Sequence, residues 1–314
     1  MINLAKIQSL IKHYLLLVLC LMFLSTSCLK AQTHVPDQAF RSYLIGLGIN
    51  FDANGNITNP ERVASISKIE MNNDSGIISV SGIEAFINLK ELEIIFNNES
   101  IDLSKNTLLT NLLIYSPELV SIDVSKNTLL SSLSFMRTSK LTSLDVSKNT
   151  LLNFLSIYDH KLTKLNLSKN TRLTYLKIDN KGSSNKKLES LDLTSNIKLM
   201  NLNLIGLSLK ELDLSSNTKL NSVDISGNKI SKLTFSKNTM IERMNLSYNE
   251  LTDFDIYNHP LLKSLYLQNN KLTQLDLSKS LFLPLDVSES TFQTSRKINK
   301  QIFLKGNPFE TGQP

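Results

Sequence analysis

At 314 residues the chain has room for one or two domains, but the absence of Trp, an aromatic content of 7% and the constant recurrence of Leu, Asn and Ser point to a repetitive sequence rather than an ordinary enzyme. The 34 basic and 28 acidic residues give a formal charge of +6, too mild an excess to indicate nucleic-acid binding. The two cysteines, Cys20 and Cys28, both lie near the N-terminus, so the rest of the chain has no disulfide to rely on and packing must hold it.

Residues 1–31 read as a signal peptide. Lys6 and Lys12 precede the apolar run Leu15 to Leu24, which is too short to span a bilayer. Two processing sites compete. Leu29-Lys30-Ala31 before Gln32 suits an ordinary signal peptidase and a released product. Leu24-Ser25-Thr26-Ser27-Cys28 has the shape of a lipobox, with Ser25 where an aliphatic residue is usual, and would leave a lipid on Cys28. Either way the chain is expected to be exported. Removing residues 1–31 leaves 31 basic and 28 acidic residues, a net of +3.

Residues 32–65 are expected to form an N-terminal cap. Val35-Pro36-Asp37 precedes a helix over Gln38 to Leu47, where Phe40, Leu44 and Leu47 share a face and Gly46 and Gly48 mark the stop. Residues 66–288 follow as a repeat array. Ile66, Ile69 and Met71 begin an irregular first coil that runs through Gly82-Ile83-Glu84-Ala85-Phe86.

The array is carried by pairs at Leu92/Ile94, Leu112/Ile114, Leu133/Phe135, Leu155/Ile157, Leu176/Ile178, Leu202/Leu204, Val223/Ile225, Met244/Leu246 and Leu265/Leu267, spaced 20–22 residues apart except for one step of 26. That longer step places an insertion around Lys181 to Lys187. A second series, Ile101/Leu103, Ile122/Val124, Leu144/Val146 and onward to Leu275/Leu277, runs between them, so each coil is expected to have two extended sides. The stretch Leu262-x-x-Leu265-x-Leu267-x-x-Asn270-x-Leu272 carries the full leucine-rich repeat signature. The fold class predicted is a leucine-rich repeat β-solenoid, mainly parallel β coils of about 21 residues, with an α/β cap at the N-terminus. A single coil cannot offset the entropy of ordering itself, at about 1.5 kcal/mol per residue, so stability must come from stacking. Leu285 and Val287 continue the pattern weakly, and 289–314, with Ile302-Phe303-Leu304 and Gly306-Asn307-Pro308-Phe309, reads as a C-terminal cap and tail.

On these residues the chain resembles secreted, internalin-like leucine-rich repeat proteins of bacteria. The resemblance covers residues 35–285 and rests on Val35-Pro36-Asp37-Gln38-Ala39-Phe40, on the Gly82 to Phe86 turn, and on repeats such as Leu141 to Thr150. It implies a calcium-type loop after the cap helix, for which Asp52, Asn54, Asn56 and Glu61 stand in ligand places. The loop is shortened, however. Asn56 is followed at once by Ile57, omitting the sixth-position Gly and the seventh-position carbonyl donor, and an Asn-Gly turn explains the stretch without calcium. No cofactor is expected otherwise.

No catalytic machinery is legible. Asp102, Asp123, Asp145, Asp192, Asp213, Asp255 and Asp276 repeat at one place in successive coils, followed in several by Lys105, Lys126, Lys148 and Lys279; they are expected to stack as a solvated ladder at about 4.8 Å spacing. Asn106, Asn127, Asn149, Asn170, Asn196, Asn217 and Asn238 are expected to serve turn backbone. His34, His160 and His259 lie on different coils, and no nucleophile or phosphate-binding motif accompanies them.

The exposed face of the strands is the candidate site. Outward positions of the early coils, Ile95, Phe96, Leu113, Tyr115, Met136, Phe154, Tyr158 and Tyr175, are apolar or aromatic, whereas later coils offer Asn203, Asp224, Asn245 and Gln268. Tyr, Phe and Met are enriched at interfaces, so a protein partner is expected there, with no role for nucleic acid and membrane contact only through a lipid on Cys28. Two other readings fit the same features: a structural envelope lipoprotein anchored through Cys28, and a glycan-binding module, which the lack of Trp and the aliphatic Ile95, Leu113 and Met136 disfavour.

Overall fold

The computed structural model describes residues 33–71, 76–181, 188–235, 240–255, 259–273 and 301–303. The expected signal peptide with Cys28, most of the Lys181–Lys187 insertion, and the Leu275/Leu277, Asp276, Lys279, Asn238, Leu285 and Val287 positions lie outside them.

The cap starts with helix α1, Gln38–Gly46, which buries Phe40 and Leu44. Asp37 sets its N-terminus and also ties it to the array. Its Oδ1 accepts the Phe40 N–H at 2.8 Å, while Oδ2 accepts the N–H groups of Ile78 and Ser79, each at 2.9 Å. Helix α2, Pro60–Ser65, has its proline where a backbone N–H would have no helical partner, and buries Val63. Strand β1, Lys68–Glu70, then opens the sheet.

The first apolar series forms the strands. β2 (Glu91–Ile95), β3 (Asn111–Tyr115), β4 (Ser132–Met136), β5 (Phe154–Tyr158), β6 (Tyr175–Asp179) and β7 (Asn201–Ile205) each have five residues, and β9 (Ser222–Asp224), β11 (Arg243–Asn245) and β12 (Ser264–Tyr266) have three. With β1 and β13 (Gln301–Phe303) they make an eleven-stranded sheet in which all neighbours are parallel. Register places Leu92, Leu112, Leu133, Leu155, Leu176 and Leu202 opposite one another. The segment expected to close the array thus supplies its last described strand.

Alternation sends the Leu, Ile and Val pairs inward, where they are 0–2% exposed from Leu92 to Leu267. The second series is also apolar and mostly buried, with Leu233, Phe235 and Phe254 only partly so, but it departs from expectation. Among the described residues only β8 (Glu211–Asp213) and β10 (Lys232–Thr234) pair there as strands. Earlier coils make isolated bonds instead, such as Val120 N to Glu99 O and Thr142 N to Val120 O. Asp102, Asp123 and Asp145 each take the N–H two residues on, but Asp213 does the same at the end of the paired β8, so this turn bond does not decide where the second side becomes a strand.

Asparagines hold the corner that leads back into the sheet. Asn106, Asn127, Asn149, Asn170, Asn196 and Asn217 are fully buried, and each Nδ2 donates to two carbonyls of the preceding coil, as Asn127 does to Leu103 and Asn106. At the opposite corner Asn228, Asn249 and Asn270 repeat the device, with Oδ1 accepting the N–H of Leu209, Ile230 and Leu251.

Candidate binding surface

Strand geometry brings the outward side chains into columns that cross the coils. The column at the C-terminal end of the strands reads Ile95, Tyr115 and Met136, paired strand to strand, with Tyr158 at the same place in β5 and Asp179 in β6. Ile95, Tyr115 and Tyr158 are half-buried and Met136 is 37% exposed. The column at the N-terminal end brings Phe154 against Tyr175, whose rings stack with centroids 4.5 Å apart and planes 8° from parallel. Leu113, between Glu93 and Ser134 in the middle column, is half-buried.

Two cations complete the patch. Arg137 lies over the Tyr115 ring at 5.4 Å and Lys177 over the Tyr158 ring at 4.6 Å, with Lys177 also 3.6 Å from Asp179. For Lys177, partial burial opposes the charged form, but Tyr158 and Asp179 beside it win and hold its pKa above the usual lysine value. Both cations were missed in the sequence. Lys177 was findable, since it shares the parity of Tyr175. Arg137 adopts a left-handed backbone, φ 50°, at the corner after β4, and nothing local announces that.

Phe96 requires correction. It is 1% exposed, not part of the outward face, because it has the parity of Leu92 and Ile94 and continues their inward alternation past the end of β2.

The other constellations are built as turns. Asp52 Oδ1 accepts the N–H groups of Asn54 and Asn56, and Oδ2 accepts the Asn56 side-chain amide, all at 2.9 Å. These bonds, the Asn56 side chain foremost, hold its carboxyl below the usual range. The Asp102, Asp123 and Asp145 carboxyls are lowered first by the N–H groups of Ser104, Ser125 and Ser147, and Asp192 and Asp213 by the hydroxyls of Thr194 and Ser215. Asn166 fills the same place with no charge, accepting the Ser168 N–H at 3.0 Å, so the position requires an oxygen acceptor rather than an acid. A groove of about 770 Å³ on this second side is lined by Asp123, Asp145, Lys148 and Lys164. His160 and His259 are each 1% exposed and belong to the interior. No cluster of three or more His, Cys, Asp or Glu side chains suited to a metal occurs among the described residues.

Comparison with known proteins agrees with this architecture. A family pattern described as "Leucine Rich repeat" matches residues 216–232. The solved functional domain of InlJ from Listeria monocytogenes, described as including a cysteine ladder, is 30% identical with a TM-score of 0.70; the match covers 86% of this chain and 60% of that one. The present chain therefore spans only three fifths of that domain's length, and asparagines line its corners. A leucine-rich repeat protein of Leptospira interrogans is 18% identical with a TM-score of 0.58, covering 79% of this chain and 74% of that one. No curated protein matches the chain.

Proposed function

A member of the internalin-like leucine-rich repeat family, this chain is, we propose, an exported, non-catalytic binding protein that holds a protein partner on the early half of its exposed sheet. The observation that carries the reading is the in-register column Ile95, Tyr115 and Met136, continued by Tyr158 at the end of β5 and flanked by the Phe154–Tyr175 stack. The aromatic side chains and Ile95 have large apolar area and few rotatable bonds and stand on a parallel sheet, so little entropy is lost when a partner covers them, while the more flexible Met136 can adapt to the partner's shape. Arg137 and Lys177 are held over the Tyr115 and Tyr158 rings, which fixes two positive charges within the patch. Export rests on the residue 1–31 pattern alone, and the absence of a catalytic role rests on the turn geometry of the carboxylates and the burial of His160 and His259.

The test is capture of proteins from envelope and host-type extracts by the intact chain, compared with a Tyr115→Ala/Met136→Ser/Tyr158→Ala variant of matched circular dichroism. A partner retained by the parent and lost by the variant is the expected result. Equal capture by both refutes the assignment of the face.

A further inference from the structure

The asparagine-laddered corner carries a second surface, on a different side of the solenoid from the sheet face. Because Asn106, Asn127, Asn149 and Asn170 are locked coil to coil, the residues around each of them are locked too. The preceding residues, Lys105, Lys126, Lys148 and Lys169, form an exposed column at about the 4.8 Å strand spacing. Two residues after each asparagine stand Leu108, Leu129, Leu151 and then Arg172, Lys198 and Lys219. Seven cations therefore follow one edge, and none of them makes an ion pair within 4.0 Å among the described residues.

The apolar content of the same edge is out of proportion to the rest of the surface. Eleven large hydrophobic side chains are exposed among the described residues, and seven lie along this corner, including Ile87, Leu108, Leu129, Ile197 and Met200. Ile87 and Ile197 are more than half exposed. Over the same coils five stacked aspartates stand against these seven cations, and Asp123 and Asp145, each with one oxygen engaged in a turn, line the groove on the adjoining face together with Lys148.

We propose that this edge docks the protein on an anionic lipid surface. Lysines would meet headgroup phosphates while the aliphatic side chains between them enter the boundary with the acyl chains. A soluble polyanion would satisfy the lysines and leave the leucines and isoleucines wet; an apolar protein groove would bury them but leave the lysine column with only the aspartates of its own turns as counter-charge. A lipid layer supplies both at once, along a straight edge. Among the described residues no helix is long and apolar enough to cross a membrane, and the contact is peripheral.

The experiment is sedimentation of the full chain with phosphatidylcholine vesicles, with and without phosphatidylglycerol. The segment before residue 32 carries Lys6, Lys12 and Lys30 and adds an anionic preference of its own, but adds it equally to every variant, so the readout is the change in the excess on anionic vesicles between parent and variant. The parent should show that excess and lose it at high salt. Lys126→Gln/Lys148→Gln/Lys169→Gln should reduce it on the order of a hundredfold, at roughly fivefold per lysine. Leu108→Ser/Leu129→Ser should also reduce it, while Tyr115→Ala/Met136→Ser/Tyr158→Ala, which disables the sheet face, should leave it unchanged. No excess on anionic vesicles, or an excess untouched by the lysine variant, overturns the proposal. Dependence on the lysines with indifference to the leucine variant overturns the lipid assignment in favour of a soluble polyanion.

Discussion

Replacing Asn149 is the most direct perturbation of the device that stacks the coils. The side chain is fully buried, and its Nδ2 donates to Val124 O at 3.0 Å and Asn127 O at 2.9 Å. Each carbonyl keeps a second donor, since Asn127 N–H reaches Val124 O and Leu130 N–H reaches Asn127 O. Asn149→Ala therefore strips neither carbonyl completely. It also removes an Oδ1 that accepts no hydrogen bond within the protein, which offsets part of the small cavity left behind. With about 1 kcal/mol for each bond, the expected loss is roughly 2 kcal/mol. Asn149→Asp is nearly the same size but turns a carboxylate toward two carbonyls. Its cost at neutral pH should exceed about 4 kcal/mol and shrink as acid protonates the new group. Urea denaturation followed by circular dichroism at neutral and mildly acidic pH measures both. If the aspartate variant is as stable as the alanine variant at neutral pH, amide donation across the corner is not what holds the coils together.

His160 makes stability depend on acidity. Burial lowers its pKa from 6.5 to about 4, so above pH 6.5 it is neutral in both states, and as pH falls from there the unfolded chain binds a proton that the folded one refuses until about pH 4. Stability should fall by about 1.4 kcal/mol per pH unit across that window, roughly 3 kcal/mol in all, and His160→Asn should flatten this part of the profile. Asp37 acts in a lower range. Burial raises its carboxyl, but the N–H groups of Ser79, Phe40 and Ile78 outweigh that and hold its pKa below the usual value. Its contribution is present above the ordinary aspartate pKa and lost as pH falls through the lower folded one, and Asp37→Ala should cost about 2 kcal/mol in a melting experiment, with cap and first coil loosening together in hydrogen exchange. Gly206 has φ +65° and would bring a Cβ within 2.8 Å of the Lys181 backbone, so Gly206→Ala should lower stability by more than about 1 kcal/mol in thermal unfolding. A gain would mean that the two coils can part there.

Much of this protein follows from its sequence because a coil is a short-range object. Period-2 alternation in Leu92-Glu93-Ile94 is enough to assign an inward and an outward side, the 21-residue recurrence is enough to stack the strands in parallel, and the repeated Asn marks a position where backbone must be satisfied inside. The error at Phe96 came from neglecting that parity, not from a lack of information. Other features depend on how coils meet. On the second side Glu211–Asp213 pairs as a strand and Ile122-Asp123-Val124 does not, although Asp213 and Asp123 make the same local turn bond, so the difference lies in how the coils meet. Phe154 and Tyr175 are distant along the chain, and their stacking exists only because β5 and β6 pair in one register. The lysine and leucine edge is equally a product of register: each coil contributes one residue to each column, and only the buried asparagine bonds between coils turn those single exposed side chains into a continuous surface. Local pattern thus determined which way each side chain points, while tertiary structure decided which side chains are neighbours, since neighbourhood here is set by hydrogen bonds between segments about 21 residues apart.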